Sequence, residues 1–186
     1  PYGWSKLMIE QMLADASRSS GLRTVTLRYF NVAGADPALR TGQSTREATH
    51  LIKVAVQAAL GLRPGITVFG TDYPTPDGTC IRDYIHVSDL VQAHIDALRY
   101  LRGGGASATL NCGYGHGASV LDVIAAVRRC SGQDFQAVLG ARRAGDPAQI
   151  VASNERARAV LGFNPRFDDL DRIVDHALAW ERRLMA

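Results

Sequence analysis

A tyrosine and a lysine four residues apart open the sequence, in the run Pro1-Tyr2-Gly3-Trp4-Ser5-Lys6. Side chains at that spacing share one face of a helix. A free phenol titrates at about pH 10 and is a poor base at neutral pH. A neighbouring ammonium and the positive end of a helix both favour its ionised form. Tyr2 and Lys6 together therefore suit the removal and return of a hydroxyl proton. Two residues make a weak signature, and a chance match in 186 residues is not rare. Such a base needs a cofactor cradle upstream, yet only Pro1 precedes Tyr2. The chain therefore reads as a truncated or processed piece of a longer product.

Three further segments concentrate functional side chains. Residues 77–87 read Asp-Gly-Thr-Cys-Ile-Arg-Asp-Tyr-Ile-His-Val. An arginine beside a polar turn suits two-pronged recognition of phosphate, and a structural Arg82-Asp83 cluster tying the turn to the core is an equal reading. Residues 142–147, Arg-Arg-Ala-Gly-Asp-Pro, set two cations and a carboxylate on a loop. A diphosphate with a sugar hydroxyl would suit them, and so would plain solvent. Gly113-Tyr114-Gly115-His116-Gly117-Ala118 fits the dinucleotide pattern G-x-G-x-x-G/A literally, with Asp134 downstream. The ribose-binding acid of that pattern belongs at the C-terminal end of the next strand. Asp134 precedes its strand, so a tight strand-to-helix turn is the better reading.

The elements that must position these groups alternate in type. Periodicity predicts helices over 4–20, 47–60, 154–161 and 169–184, with Gly21 and Gly61 closing the first two. Two more helices run from a cap at Ser88 or Asp89 to about 101, and from a cap at Ser119 to about 130. Strands are predicted over 24–30 (buried), 66–69, 82–86, 109–112 and 135–139. Residues 31–46 and 70–79 read as loop. Alternating strands and helices mean an α/β fold.

Composition narrows the classes. No apolar run approaches the roughly 18 residues of a membrane span. The most apolar stretch, residues 51–60, is short and contains Lys53. The net charge is +3 and the pI near 9.0, but the arginines fall in pairs and singles rather than one stripe, which argues against nucleic acid. The three cysteines show no CxxC spacing, and a reducing, cytoplasmic compartment follows. The five histidines form no HxxxH or HExxH pattern, which argues against a metal.

Taken together, Tyr2-Gly3-Trp4-Ser5-Lys6, residues 27–35 (Leu-Arg-Tyr-Phe-Asn-Val-Ala-Gly-Ala), the 77–87 block, Ser119-Val120-Leu121-Asp122-Val123 and residues 142–146 resemble the UDP-glucose 4-epimerases in order and spacing. These form a branch of the extended short-chain dehydrogenases/reductases. The resemblance covers essentially the whole chain. The Asp-Gly-Thr-x-x-Arg-Asp-Tyr-Ile-His block is specific to the branch, and Tyr-x-x-x-Lys only to the wider superfamily.

The resemblance implies the C-terminal part of such a fold, an incomplete Rossmann-type parallel sheet with a smaller substrate domain. Residues 1–186 would form one incomplete unit. The remnant of the NAD-binding domain is expected mainly in 1–35 and about 80–115, with UDP-sugar binding in the remainder. The implied cofactor is NAD and the implied partner a UDP-sugar, in a cytoplasmic homodimer. Tyr2 would take the proton from the sugar 4-hydroxyl while C4 passes hydride to NAD. The 4-keto sugar would then turn about its diphosphate and recover hydride on its other face. Lys6 would hold the nicotinamide ribose and support Tyr2, with Tyr29 and Phe30 beside the nicotinamide. Asn31, His50, Leu51, Thr67, Phe69, Arg82, Arg143, Asp146 and Ile150 match positions around the UDP-sugar, with Arg82 and Arg143 on the diphosphate.

Some residues depart from the pattern. His50 stands where many relatives carry asparagine, and Thr67 replaces a small apolar residue at the uridine site. Ile150 leaves N-acetylated sugars open as substrates. The glycine-rich loop and the serine or threonine that assists the tyrosine belong upstream of Tyr2. Two readings follow: a 4-epimerase of UDP-glucose/UDP-galactose or of another UDP-sugar, and a non-catalytic piece that at most binds a UDP-sugar.

Overall fold

The computed structural model describes residues 1–45 and 47–186. Helix α1 (Tyr2–Ser20) ends at Gly21, whose φ of 69° is left-handed, as the sequence predicts. Strand β1 (Val25–Tyr29) follows, half-buried over Val25 to Leu27 and exposed at Arg28 and Tyr29, rather than wholly buried. Strand β2 (Asn31–Ala33) lies within the stretch predicted as loop. Helix α2 (Leu51–Ala59) starts later than its periodicity suggests, because His50 is extended and Arg63 holds the Ala48 carbonyl at 3.3 Å. Strand β3 (Gly65–Phe69) follows. The predicted strand over 82–86 is two strands, β4 (Ile81–Arg82) and β5 (Tyr84–His86), broken at Asp83. Helix α3 (Val87–Arg102) leads to β6 (Ala108–Cys112). Then come β7 (Ala118–Ser119), α4 (Val120–Ser131), β8 (Gln136–Gly140), β9 (Gln149–Ile150), α5 (Glu155–Leu161) and α6 (Leu170–Met185).

The pairings are mostly parallel, as an α/β fold requires. Parallel pairs form between β1 and β6, β2 and β5, β3 and β8, and β4 and β9, with β7 antiparallel to β4. Helices α3 and α5 pack on β1 and β6, while α2, α4 and α6 pack on one another with β3 against α2. Val56, Val68, Val123, Val127, Ile173, Val174 and Leu178 are buried in the shared core. No helix among the described residues is long and apolar enough to cross a membrane.

Caps decide several helix starts. Ser119 and Asp122 form the reciprocal capping box of α4, each 2.9 Å from the other's backbone nitrogen. Asp169 caps α6. The α3 cap is His86 rather than Ser88 or Asp89, with its Nδ1 accepting from the Ser88 N–H at 3.0 Å. Asp89 turns inward instead, accepting from the Tyr114 hydroxyl at 2.7 Å and from the Arg166 and Phe167 amides at 2.9 Å. Asn154 stands at the N-cap of α5 without capping it, since its side chain donates to the Gly113 carbonyl.

His86 is buried and stacks on Phe167 with ring centroids 4.4 Å apart. Its Nε2 lies 2.9 Å from His176 Nδ1 on α6. Gly34 (φ +77°) makes room for it, since a Cβ there would stand 2.7 Å from the ring. Because Nδ1 already accepts, Nε2 carries the hydrogen and donates to His176, so both rings are neutral. Burial, with His176 and Arg172 nearby, pushes the His86 pKa down to about 4 from 6.5. The unfolded chain therefore takes up this proton near pH 6.5 and the folded one only near pH 4, so stability falls as pH drops through that window. Urea unfolding at pH 7.5 and pH 4.5 should differ by about 2–3 kcal/mol from this group. A profile that does not move in the His86→Leu variant relative to the wild type would remove the assignment.

Candidate active site

Strands β2, β3 and β4, helices α2 and α6, the connector before α2 and the loop after β8 build the site. Extended backbone sends successive side chains to opposite sides. Arg82 and Asp83 follow that rule and divide the two readings of their segment between them. Arg82 lines a cavity of about 530 Å³. Asp83 is fully buried on the other side, where its carboxylate accepts from the amides of Tyr114 and Gly115 at 3.0 Å and Ala152 at 3.2 Å. Its main-chain carbonyl accepts from the Asn31 amide at 3.0 Å and side chain at 3.2 Å.

This arrangement accounts for the glycine-rich turn. Amides that a dinucleotide phosphate would need at residues 114 and 115 are taken by Asp83. A Cβ at Gly113 would stand 2.6 Å from Asp83, and one at Gly117 2.5 Å from Ile81. Asp134 forms an exposed ion pair with Arg128.

The cavity wall holds Asn31, His50, Leu51, Thr67, Phe69, Arg82, Arg143 and Asp146. Eight of the nine residues matched to UDP-sugar positions thus share one concave surface, which is the form small-molecule sites take. The Arg143 guanidinium lies 3.9 Å from the centre of the Phe69 ring, a cation–π contact that fixes its plane. Arg82 is 3.5 Å from Asp146. Arg142, next in sequence, turns away and pairs with Asp72 at 2.6 Å over the Tyr73 ring. The surface therefore offers two oriented guanidinium groups beside one carboxylate, suited to a dianion joined to a hydroxyl-rich group.

Ile150 is not among the lining residues. It pairs with Arg82 across β9 and β4 and is partly exposed. Tyr2, Lys6, Tyr29 and Phe30 also lie outside the cavity. Tyr2 is 77% exposed, with the Lys6 ammonium 5.3 Å from its ring centre. Helix α1, which carries both, has no buried residue. It is tied to the rest by Glu10, which accepts from Arg28 at 2.7 and 2.5 Å, and by a contact between Ser17 and Ser107. Tyr29 and Phe30 lie at the C-terminal end of β1, where parallel strands leave room for a nucleotide.

Several lining residues carried no sequence signal of function: Gln43, Arg63, Trp180 and Glu181. Lys53 is the exception, because a lysine inside an apolar helical run asks for a buried partner.

The chain matches the NAD dependent epimerase/dehydratase family over residues 1–113. A UDP-glucose 4-epimerase of Azospirillum brasilense is 62% identical over 184 residues, covering 99% of this chain and 53% of the relative. A crystal structure of UDP-glucose 4-epimerase from Brucella ovis in complex with NAD superposes with a TM-score of 0.93 at 44% identity, covering 96% of this chain and 55% of that one. The enzyme of Stenotrophomonas maltophila, solved with NAD and formylated UDP-arabinopyranose, gives 0.95 at 41% identity, covering 100% of this chain and 55% of its own. The chain spans about half the length of the curated relatives it matches. Its match to the family extends well past the middle of the sequence, and the chain belongs to the NAD dependent epimerase/dehydratase family.

Proposed function

We propose that the intact protein interconverts UDP-glucose and UDP-galactose with NAD as resident cofactor, and that this chain supplies its base and its UDP-sugar cavity. The observation that carries the reading is the single cavity in which Arg82, Arg143 and Asp146 stand together with Asn31, His50, Leu51, Thr67 and Phe69. The names of the relatives support the same activity.

In this reading Arg82 and Arg143 hold the diphosphate, the part of the substrate that must stay still. Asp146 keeps Arg82 in place and accepts from a sugar hydroxyl. Thr67 and Phe69 flank the uridine. Tyr2 takes the proton from the sugar hydroxyl and returns it, with Lys6 beside it. NAD, when bound, supplies a reversible hydride acceptor. Tyr29 and Phe30 fit a flat nicotinamide, because they end β1 at the nucleotide side of a parallel pair. Residues 1–35 and about 80–115 then belong to the cofactor part and the remainder to the substrate part. Cytoplasmic location and a homodimer follow from the resemblance rather than from the cavity.

Assaying the intact protein for UDP-glucose/UDP-galactose conversion tests the reading, and no conversion would overturn it. N-acetylated UDP-sugars and UDP-pentoses belong in the same profile, with Ile150→Tyr as the comparison. Arg143→Ala is expected to weaken UDP binding about 10–100-fold, the range for a hydrogen-bonded charge. Arg142→Ala, whose partners are Asp72 and Tyr73, should change it less than about threefold. Equal effects from the two arginines would remove the diphosphate assignment.

A further inference from the structure

The cavity wall carries a connected polar group that the chemistry above leaves unused. Lys53 on α2 and Glu181 on α6 form a buried ion pair. Gln57 donates to the second Glu181 oxygen at 2.9 Å. Lys53 also donates to the main-chain carbonyl of Gln43 at 2.9 Å, and Trp180 Nε1 donates to the same carbonyl at 3.2 Å. Gly42 lies so close to Trp180 that a Cβ there would stand 2.5 Å from the indole. Arg63 donates to Gln57 at 2.7 Å and to the Ala48 carbonyl at 3.3 Å. Two cations thus hold the connector before α2 at two carbonyls. A buried ion pair is poor evidence of stability in itself. Here its third partner is a loop carbonyl, which ties α6 to the approach of His50.

The Gln43 side chain completes the chain of contacts. Its amide nitrogen lies 2.9 Å from His50 Nδ1. That nitrogen can only donate, so Nδ1 accepts, and the neutral ring carries its hydrogen on Nε2. Nε2 has no hydrogen-bond partner among the described residues, and His50 lines the cavity.

We propose that Gln43 is a positioning residue: held by Lys53 and Trp180, it fixes His50 as the Nε2–H tautomer and so offers the ligand a hydrogen-bond donor. The inference rests on the UDP-sugar reading of the cavity. Phosphate and sugar oxygens present lone pairs, which a donor meets and a bare imidazole nitrogen repels. The charged groups sharing the cavity with His50 are Lys53, Arg63, Arg82, Arg143, Asp146 and Glu181. Lys53 is paired with Glu181 and Arg82 with Asp146, while Arg63 is bound to Gln57 and the Ala48 carbonyl, so no free carboxylate among them competes for the His50 hydrogen.

The test uses the intact protein with 15N-labelled histidine, read by two-bond proton–nitrogen correlation where His50 is neutral. The expected result is the Nε2–H tautomer in the wild type, a mixture in Gln43→Leu and the Nδ1–H form in Gln43→Glu. Both substitutions leave the Gln43 carbonyl, and with it the Lys53 and Trp180 bonds, in place. With UDP as the probe, Gln43→Leu should raise Kd about three- to tenfold, the range for one hydrogen bond. The same change in a His50→Ala background should have no effect. An Nδ1–H tautomer in the wild type, or a Gln43→Leu effect that persists without His50, would overturn the proposal. The expected tautomers together with unchanged UDP affinity in His50→Ala would support the positioning role and sink the UDP-sugar reading of His50 instead.

Discussion

Asp83→Ala is expected to destabilise the fold by about 3–5 kcal/mol, among the largest effects of any single change here. The substitution strands three amides at once, those of the buried Tyr114 and Ala152 and that of the more exposed Gly115. Each orphaned buried donor costs on the order of 1–3 kcal/mol. Asp83→Asn should recover only part of the loss, since its amide hydrogens face backbone N–H groups that need an acceptor. Urea unfolding of the three proteins side by side measures this. A loss below about 1 kcal/mol for Asp83→Ala would mean that the carboxylate does not hold the turn. The variant should also bind UDP more weakly, because the segment it releases carries Arg82.

The second large effect concerns chemistry alone. In the intact protein Tyr2→Phe is expected to lower kcat about 10²- to 10⁴-fold, the usual contribution of a positioned acid–base group. UDP affinity should stay within about twofold, because Tyr2 lies outside the cavity that holds the proposed diphosphate anchors. Single-turnover rates with UDP-galactose, alongside calorimetry with UDP, separate the two quantities. A variant that keeps a tenth of its rate would strip Tyr2 of the role.

Local signals carried much of the architecture. Gly21 ends α1, Ser119 and Asp122 begin α4, and Asp169 begins α6, each through bonds spanning three or four residues. What local signals could not reveal depends on partners far away in sequence. Strand β2 has three residues and exists because β5, some fifty residues later, lies alongside. His86 caps α3 because Phe167 and His176 hold its ring in place. Asp89 reads locally as a cap, yet its oxygens belong to Tyr114 and to the segment before α6. The site divides in the same way. The arginines and the carboxylate were legible as types that suit a diphosphate. That Arg82 faces the cavity while Asp83 faces the core is settled by the sheet around them. Lys53 and Glu181 stand 128 positions apart, and no window along the chain contains both.

Helix α1 leaves Trp4, Met8, Ile9 and Met12 exposed and fully buries no residue. A helix of 19 residues with only Glu10, Leu13, Ala14, Ala16 and Ser17 half-buried draws little of its stability from packing. The alignment of Tyr2 with Lys6 lasts only as long as that helix does. A surface that covered the apolar face would act on it as a ligand acts on a receptor, shifting its population toward the ordered form. The proposed catalytic pair is then less a fixed feature of this chain than a readout of occupancy, its readiness rising and falling with any surface that shelters the helix.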